Sequence, residues 1–129
     1  MKKYNVVLLG GSNSVIVNGL QKGLRQENVN LINLALGATD SIQNLYELKR
    51  KRNQQIINKA DLIITESNVN DSWVMDDRIL FDNLKKYYQE LSSLRFCKIL
   101  VIILPFFSYN HEKVVLFIVI FRANLILTL

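Results

Sequence analysis

Four apolar runs recur along the chain at nearly even spacing: Tyr4–Leu9, Val29–Leu34, Leu62–Thr65 and Lys98–Leu104. Half-exposed strands alternate apolar and polar residues, whereas these runs do not, the second being the least clean because Asn30 and Asn33 interrupt it. Continuous β-branched and leucine-rich runs suit parallel strands buried on both faces. Between them lie stretches with helical period. Val15, Ile16, Gly19, Leu20 and Leu24 make one stripe. Ile42, Leu45, Leu48, Ile56 and Ile57 make a second, opened by Asp40 or Ser41 as a cap. Ile79, Leu80, Leu84, Tyr87, Tyr88 and Leu91 make a third. Strand and helix alternate three times before a fourth strand. That order predicts an α/β domain of three layers, α/β/α, around a parallel sheet of about four to five strands.

At 129 residues the chain is long enough for one domain with a proper core, and residues 1–129 read as a single unit of flavodoxin-like type. Half its residues are hydrophobic and 21% are charged, which excludes a disordered chain. The net charge of +5 is modest. Its densest run, Lys49-Arg50-Lys51-Arg52, has no aromatic residues interleaved, so it reads as a solvated helix face and not as a nucleic-acid surface. The single cysteine, Cys97, rules out a disulfide within the chain and reads as a small buried hydrophobe. Met1-Lys2-Lys3 precedes an apolar stretch, Val6 to Leu9, much shorter than the roughly 7–15 residues of an export signal. A cytoplasmic, reducing location is therefore expected.

The stretch from Val114 to Leu129 behaves differently. It is almost wholly apolar, lacks an amphipathic period and a turn signal, and is interrupted by Arg122. A membrane span needs about 20 predominantly apolar residues, so membrane association is not expected. Part of it suits a fifth strand. As a whole it reads as atypical of the domain, with truncation or a changed reading frame as the expectation and an exposed apolar patch as the consequence.

Three short polar stations stand where the strands should end, and ligands of parallel α/β sheets sit outside those ends. The first is Gly10-Gly11-Ser12-Asn13-Ser14. It places Ser12 in a strand-to-helix turn, a known way of presenting a nucleophile, with glycines before it that allow positive φ. It lacks the lysine of a P-loop and the third glycine of a dinucleotide fingerprint. Read alone, it also suits a plain loop in which Ser12 or Ser14 caps the first helix. The second station, Asn33-Leu34-Ala35-Leu36-Gly37, offers the Gly37 N–H to an oxyanion, with Asn33 bracing the loop; it also suits an ordinary turn. The third, Asn68-Val69-Asn70-Asp71, follows Glu66 and offers the Asn70 side-chain amide; it also suits an Asx-turn opening the next helix.

In order and spacing these stations resemble the blocks of the SGNH (GDSL-type) hydrolase superfamily, over roughly Tyr4 to Leu104. The resemblance implies Ser12 as nucleophile, with the Ser12 N–H, Gly37 and Asn70 as oxyanion donors and Gly11, Asn33 and Asp71 in support. It implies a small acyl ester as substrate, no metal and no cofactor. The Gly-Gly-Ser-Asn-Ser start is also similar to that of bacterial surface-polysaccharide synthesis proteins, which implies an acetylated carbohydrate and either hydrolysis or O-acyl transfer.

The chain departs from the family pattern at three places. Gly11 stands where the family has aspartate, and Asn68 where it has glycine. The Asp-x-x-His block, which supplies the family's base, is absent: the one histidine, His111, has Ser108 three residues before it. A positioned general base is worth about 10²–10⁴-fold in rate, so activity is expected to be impaired. His111 is a candidate substitute base or else an exposed loop histidine. Glu66, Asp71, Asp76 and Asp77 read as caps and loop charges. The alternative is a non-catalytic module that binds a phosphate or carbohydrate at the same strand ends; a further reading is a fragment anchored to a membrane by Val114–Leu129.

Overall fold

The computed structural model describes residues 2–66, 71, 76–103, 117–122 and 125–127. The continuous apolar runs form the strands β1 (Tyr4–Gly10), β2 (Val29–Asn33), β3 (Leu62–Glu66) and β4 (Lys98–Ile103). They lie in the order β2-β1-β3-β4, with each neighbouring pair parallel. Their side chains divide between two cores because successive residues of a strand face opposite ways. Val7, Leu9, Ile63, Ile99 and Val101 enter one core, Val6, Leu8 and Ile64 the other. This is the three-layer α/β arrangement that the run pattern implies.

The larger core packs against α3 (Ser41–Lys49), α4 (Gln54–Ile57) and α5 (Asp77–Ser93) through Leu45, Leu48, Ile57, Tyr87 and Leu91. Asp40 is the cap of α3, its carboxylate accepting from the Gln43 N–H at 3.1 Å. Asp76 does the same for α5, accepting from the Arg78 N–H at 2.9 Å. Inside the core the Thr65 and Tyr87 hydroxyls share a hydrogen bond of 2.7 Å, which satisfies both.

Several expectations need correction. The first helical stripe is two short helices, α1 (Ser12–Val15) and α2 (Leu20–Leu24), with Ile16 extended between them. The β-branched run Val15-Ile16-Val17 resists helix, and all three side chains are exposed. Gln21 bridges the gap, its amide donating to the Ser14 and Val15 carbonyls at 2.9 Å each. Only Leu20 and Leu24 of that stripe pack against the sheet.

The second stripe also breaks. A 3₁₀ turn, Lys51–Asn53, separates α3 from α4. There Asn53 donates to the Glu47 carbonyl at 2.9 Å and to Glu47 Oε2 at 2.6 Å, standing in for lost helical bonds. The basic run therefore lies across a helix end and not along a helix face. Lys49 pairs with Glu90 at 2.8 Å, and Arg50 with the buried Glu47 at 3.0 Å. Ile42 and Ile79, expected in the apolar stripes, are exposed.

Beyond β4 the sheet continues through β5 (Phe117–Arg122) and β6 (Leu125–Leu127), both antiparallel. β5 lies in the apolar stretch that suits a fifth strand in part: Ile99 to Ile103 pair with Phe117 to Phe121. No helix among the described residues is long and apolar enough to cross a membrane. Cys97 is half-buried against the larger core, and burial pushes its thiol up to about 11.

Candidate functional site

Register sets the site. Gly10, the last residue of β1, lies opposite Glu66, the last residue of β3, and Leu8 lies opposite Asn33, the last of β2. Pairing of the second station with β1 continues past β2, through Leu34 N–H to the Leu8 carbonyl at 2.9 Å and Leu36 N–H to the Gly10 carbonyl at 3.2 Å. The first two stations therefore run side by side at the carboxyl end of the sheet. Ser12 follows Gly10 by two residues and Gly37 follows Leu36 by one.

Ser12 is the first residue of α1 and is exposed, while Gly11 beneath it is buried. No hydrogen bond to the Ser12 N–H or the Gly37 N–H occurs among the described residues. Both donors are thus available to an incoming oxygen. Gly37 is exposed, with nothing within 4 Å of the place a Cβ would occupy. The left-handed residue of this loop is Ala38, with φ 56°, and no glycine among the described residues has positive φ. The expectation that the glycines before Ser12 supply positive φ is corrected accordingly: Gly11 has φ −94°.

What Gly10 supplies is space. A Cβ there would stand 2.6 Å from Glu66 Oε1 and 2.7 Å from the Glu66 carbonyl oxygen, and would also strike Ser14 Oγ. That crowding belongs to a buried cluster. Glu66 Oε1 accepts from the Gly11 N–H at 3.1 Å, the Ser14 N–H at 2.9 Å and the Ser14 hydroxyl at 2.5 Å. The Glu66 carbonyl accepts from the Gly11 N–H as well, at 3.1 Å. Glu66 is 2% exposed and Ser14 fully buried. Glu66 is therefore neither a cap nor a loop charge, and neither Ser12 nor Ser14 caps α1 with its side chain. A carboxylate ending an apolar strand must find donors once buried. That position, after Ile63-Ile64-Thr65, was the signal that sequence reasoning missed.

Asn33 ties the second station to the first. Its amide donates to the Ser14 carbonyl at 3.1 Å, and its own Oδ1 accepts from the Ala35 N–H at 2.9 Å. Asp71, expected as a loop charge in support of the site, is buried and accepts from the Ser41 N–H at 2.7 Å. Burial pushes its carboxyl up, partly offset by that Ser41 N–H. Ser41 Oγ and Asp71 Oδ2 are buried with no hydrogen-bond partner among the described residues. Asn68, Asn70 and His111 lie outside the described residues.

Among the described residues no group of three metal-ligating side chains comes together. A cavity of about 640 Å³ lies at the opposite, amino-terminal ends of the strands, lined by Tyr4, Val29, Leu62, Phe96 and Lys98. The polar stations are not part of it.

No sequence-family model and no curated protein sequence matches the chain. Solved structures do. A lipase from a goat rumen metagenome is 22% identical, with 72% of this chain and 56% of that one covered at a TM-score of 0.51. An SGNH-hydrolase family esterase is 17% identical, covering 74% and 57% at a TM-score of 0.56. A lipase/acylhydrolase from Enterococcus faecalis is 18% identical, covering 83% and 60% at a TM-score of 0.56. The chain thus spans between 56% and 60% of the length of these structures. At these identities the likeness shows the fold.

Proposed function

We propose that this chain, which has the fold of the SGNH/GDSL hydrolases, is a serine ester hydrolase of that type with Ser12 as nucleophile. One observation carries the reading: Ser12 is exposed at the strand-to-helix turn while Gly11, Ser14 and Glu66, bonded together beneath it, are buried. In the first step Ser12 Oγ bonds to the ester carbonyl carbon and gives up its proton, to water or to His111 as the residual base, while the carbonyl π pair moves onto oxygen. The Ser12 and Gly37 N–H groups, joined by the Asn70 amide, receive that oxyanion. Collapse of the intermediate breaks the ester C–O bond, the leaving oxygen takes that proton and departs as the alcohol, and water then hydrolyses the acyl-Ser12 to the free acid and restores the Ser12 hydroxyl. Removing one such donor costs about 2.7–4 kcal/mol of transition-state stabilisation in a serine enzyme.

The chain contains no Asp-x-x-His, and Glu66 is occupied by Gly11 and Ser14. Turnover by this chain is accordingly slow, by the roughly 10²–10⁴-fold that a positioned base contributes. His111 is the candidate for a residual base. Our finer reading takes the ester as an O-acetyl group on a carbohydrate, with hydrolysis or transfer as the outcome; its support is the Gly10–Ser14 sequence alone. The test is hydrolysis of a short-chain aryl ester by the wild type and by Ser12→Ala. A slow rate that Ser12→Ala abolishes is expected. Equal rates would remove Ser12 as nucleophile and leave a ligand-binding module at the same strand ends.

A further inference from the structure

Glu66 has a role that the proposed mechanism does not use. One oxygen of its side chain takes the Gly11 N–H, the Ser14 N–H and the Ser14 hydroxyl at 3.1, 2.9 and 2.5 Å. These donors flank Ser12 on both sides in sequence. Ser14 then passes the constraint on, its carbonyl accepting from Asn33 at 3.1 Å and Gln21 at 2.9 Å. We infer that Glu66 is a positioning residue: it clamps the turn on either side of Ser12 and thereby sets the direction of the Ser12 hydroxyl and N–H. The inference rests on Ser12 being the nucleophile.

The physical case has three parts. First, α1 is only four residues long, too short to hold itself together by its own helical bonds. Its geometry must come from outside. Second, Gly11 at the cap position has no side chain to offer, so locally the turn is held only by backbone bonds, the Ser14 N–H to the Gly11 carbonyl and the Ile16 N–H to the Ser12 carbonyl at 3.1 Å each. The side chain that adds to them is Glu66, 55 and 52 residues away in sequence from Gly11 and Ser14. Third, Gly10 leaves room for it, since a Cβ there would collide with both Glu66 Oε1 and Ser14 Oγ. All three of these bonds fall on Glu66 Oε1, and none reaches Ser12. Its effect on the reaction runs through the orientation of the turn, where a displacement of about 1 Å costs on the order of 10²-fold in rate.

The experiment compares Glu66→Gln, which keeps an oxygen at the same reach, with Glu66→Asp, which is one methylene short. Two readouts are taken on the folded proteins: the rate at which a fluorophosphonate modifies Ser12, and the amide chemical shifts and hydrogen exchange of Gly11 and Ser14. Glu66→Asp is expected to slow modification about 10–100-fold and to shift the Gly11 and Ser14 amide resonances and speed their exchange, although the Glu66 and Gly11 carbonyls still accept from them, with Glu66→Gln recovering most of each. Unchanged modification in Glu66→Asp would overturn the inference, as would a Glu66→Gln no better than Glu66→Asp. If Glu66→Asp does not fold, Ser14→Ala serves in its place; it removes only the 2.5 Å bond and is expected to slow modification several-fold, an unchanged rate counting against the clamp. A wild type that is not modified at all, but whose Gly11 and Ser14 amides shift and exchange faster in Glu66→Asp, would sink the nucleophile and leave the clamp standing.

Discussion

Gly10 lies directly opposite Glu66 at the ends of β1 and β3, and the place where its Cβ would be is 2.6 Å from Glu66 Oε1. The contact is with a buried carboxylate that is already fixed by Gly11 and Ser14, so it has no room to retreat. Gly10→Ala is therefore expected to destabilise the fold by about 1–3 kcal/mol, the usual range for forcing extra volume into a packed interior. Denaturant unfolding checks this, with Gly37→Ala as the control. Nothing lies within 4 Å of the Cβ position at Gly37, and its φ is not positive, so that change should leave stability nearly untouched.

The Thr65–Tyr87 hydrogen bond predicts a second cost. Both hydroxyls are buried and meet at 2.7 Å. Tyr87→Phe would leave Thr65 Oγ1 without its partner, which costs about 1–3 kcal/mol for a buried polar atom. Thr65→Val in the same background removes both hydroxyls together. The double variant is expected to recover part of the loss, since two apolar groups of similar shape can replace a bonded pair at small cost.

Asp71 predicts a pH dependence. Burial raises its carboxyl above the ordinary 3.8, so the folded state holds a proton that the unfolded state has released. Between 3.8 and the raised value the folded protein binds more protons, and stability from this group falls as pH rises. Asp71→Asn keeps an oxygen to accept from Ser41 and carries no charge. Its unfolding midpoint is expected to gain on the wild type as the pH is raised from about 4. A difference independent of pH would contradict the assignment.

Two ion pairs near the helix break should behave unlike one another. Lys49 is exposed and Glu90 only half-buried, and Lys49→Ala is expected to cost no more than about 1 kcal/mol. Glu47 is buried and accepts from Asn53, Arg50 and Gln43. Glu47→Ala leaves the Asn53 amide only its bond to the residue-47 carbonyl, removes its buried side-chain acceptor and should cost more, as thermal unfolding of the two variants would show.

The fold was legible where a single pattern governed it. Continuous apolar runs gave all four parallel strands because burial on both faces demands them, and the position of Ser12 followed from a strand ending before a polar turn. The helices were harder to read. Val15 and Ile16 carry the right apolar spacing, yet with Val17 they form a branched run that breaks the helix, and all three are exposed. Glu66 was misread because a charge at a strand end suits a loop equally well. Only register shows that it faces Gly10 and sits beneath Ser14. The antiparallel pairing of β5 with β4 had no local signature, since Phe117–Arg122 belongs to an apolar stretch without period.

The central claim is that Ser12, and no other serine of this turn, attacks an ester carbonyl. It is tested most directly by treating the protein with a fluorophosphonate and locating the adduct by fragmentation mass spectrometry. The account predicts slow modification confined to Ser12, with Ser14 unmodified because it is buried against Glu66. Modification at Ser14, or none on this turn under conditions that label a serine esterase, would contradict it.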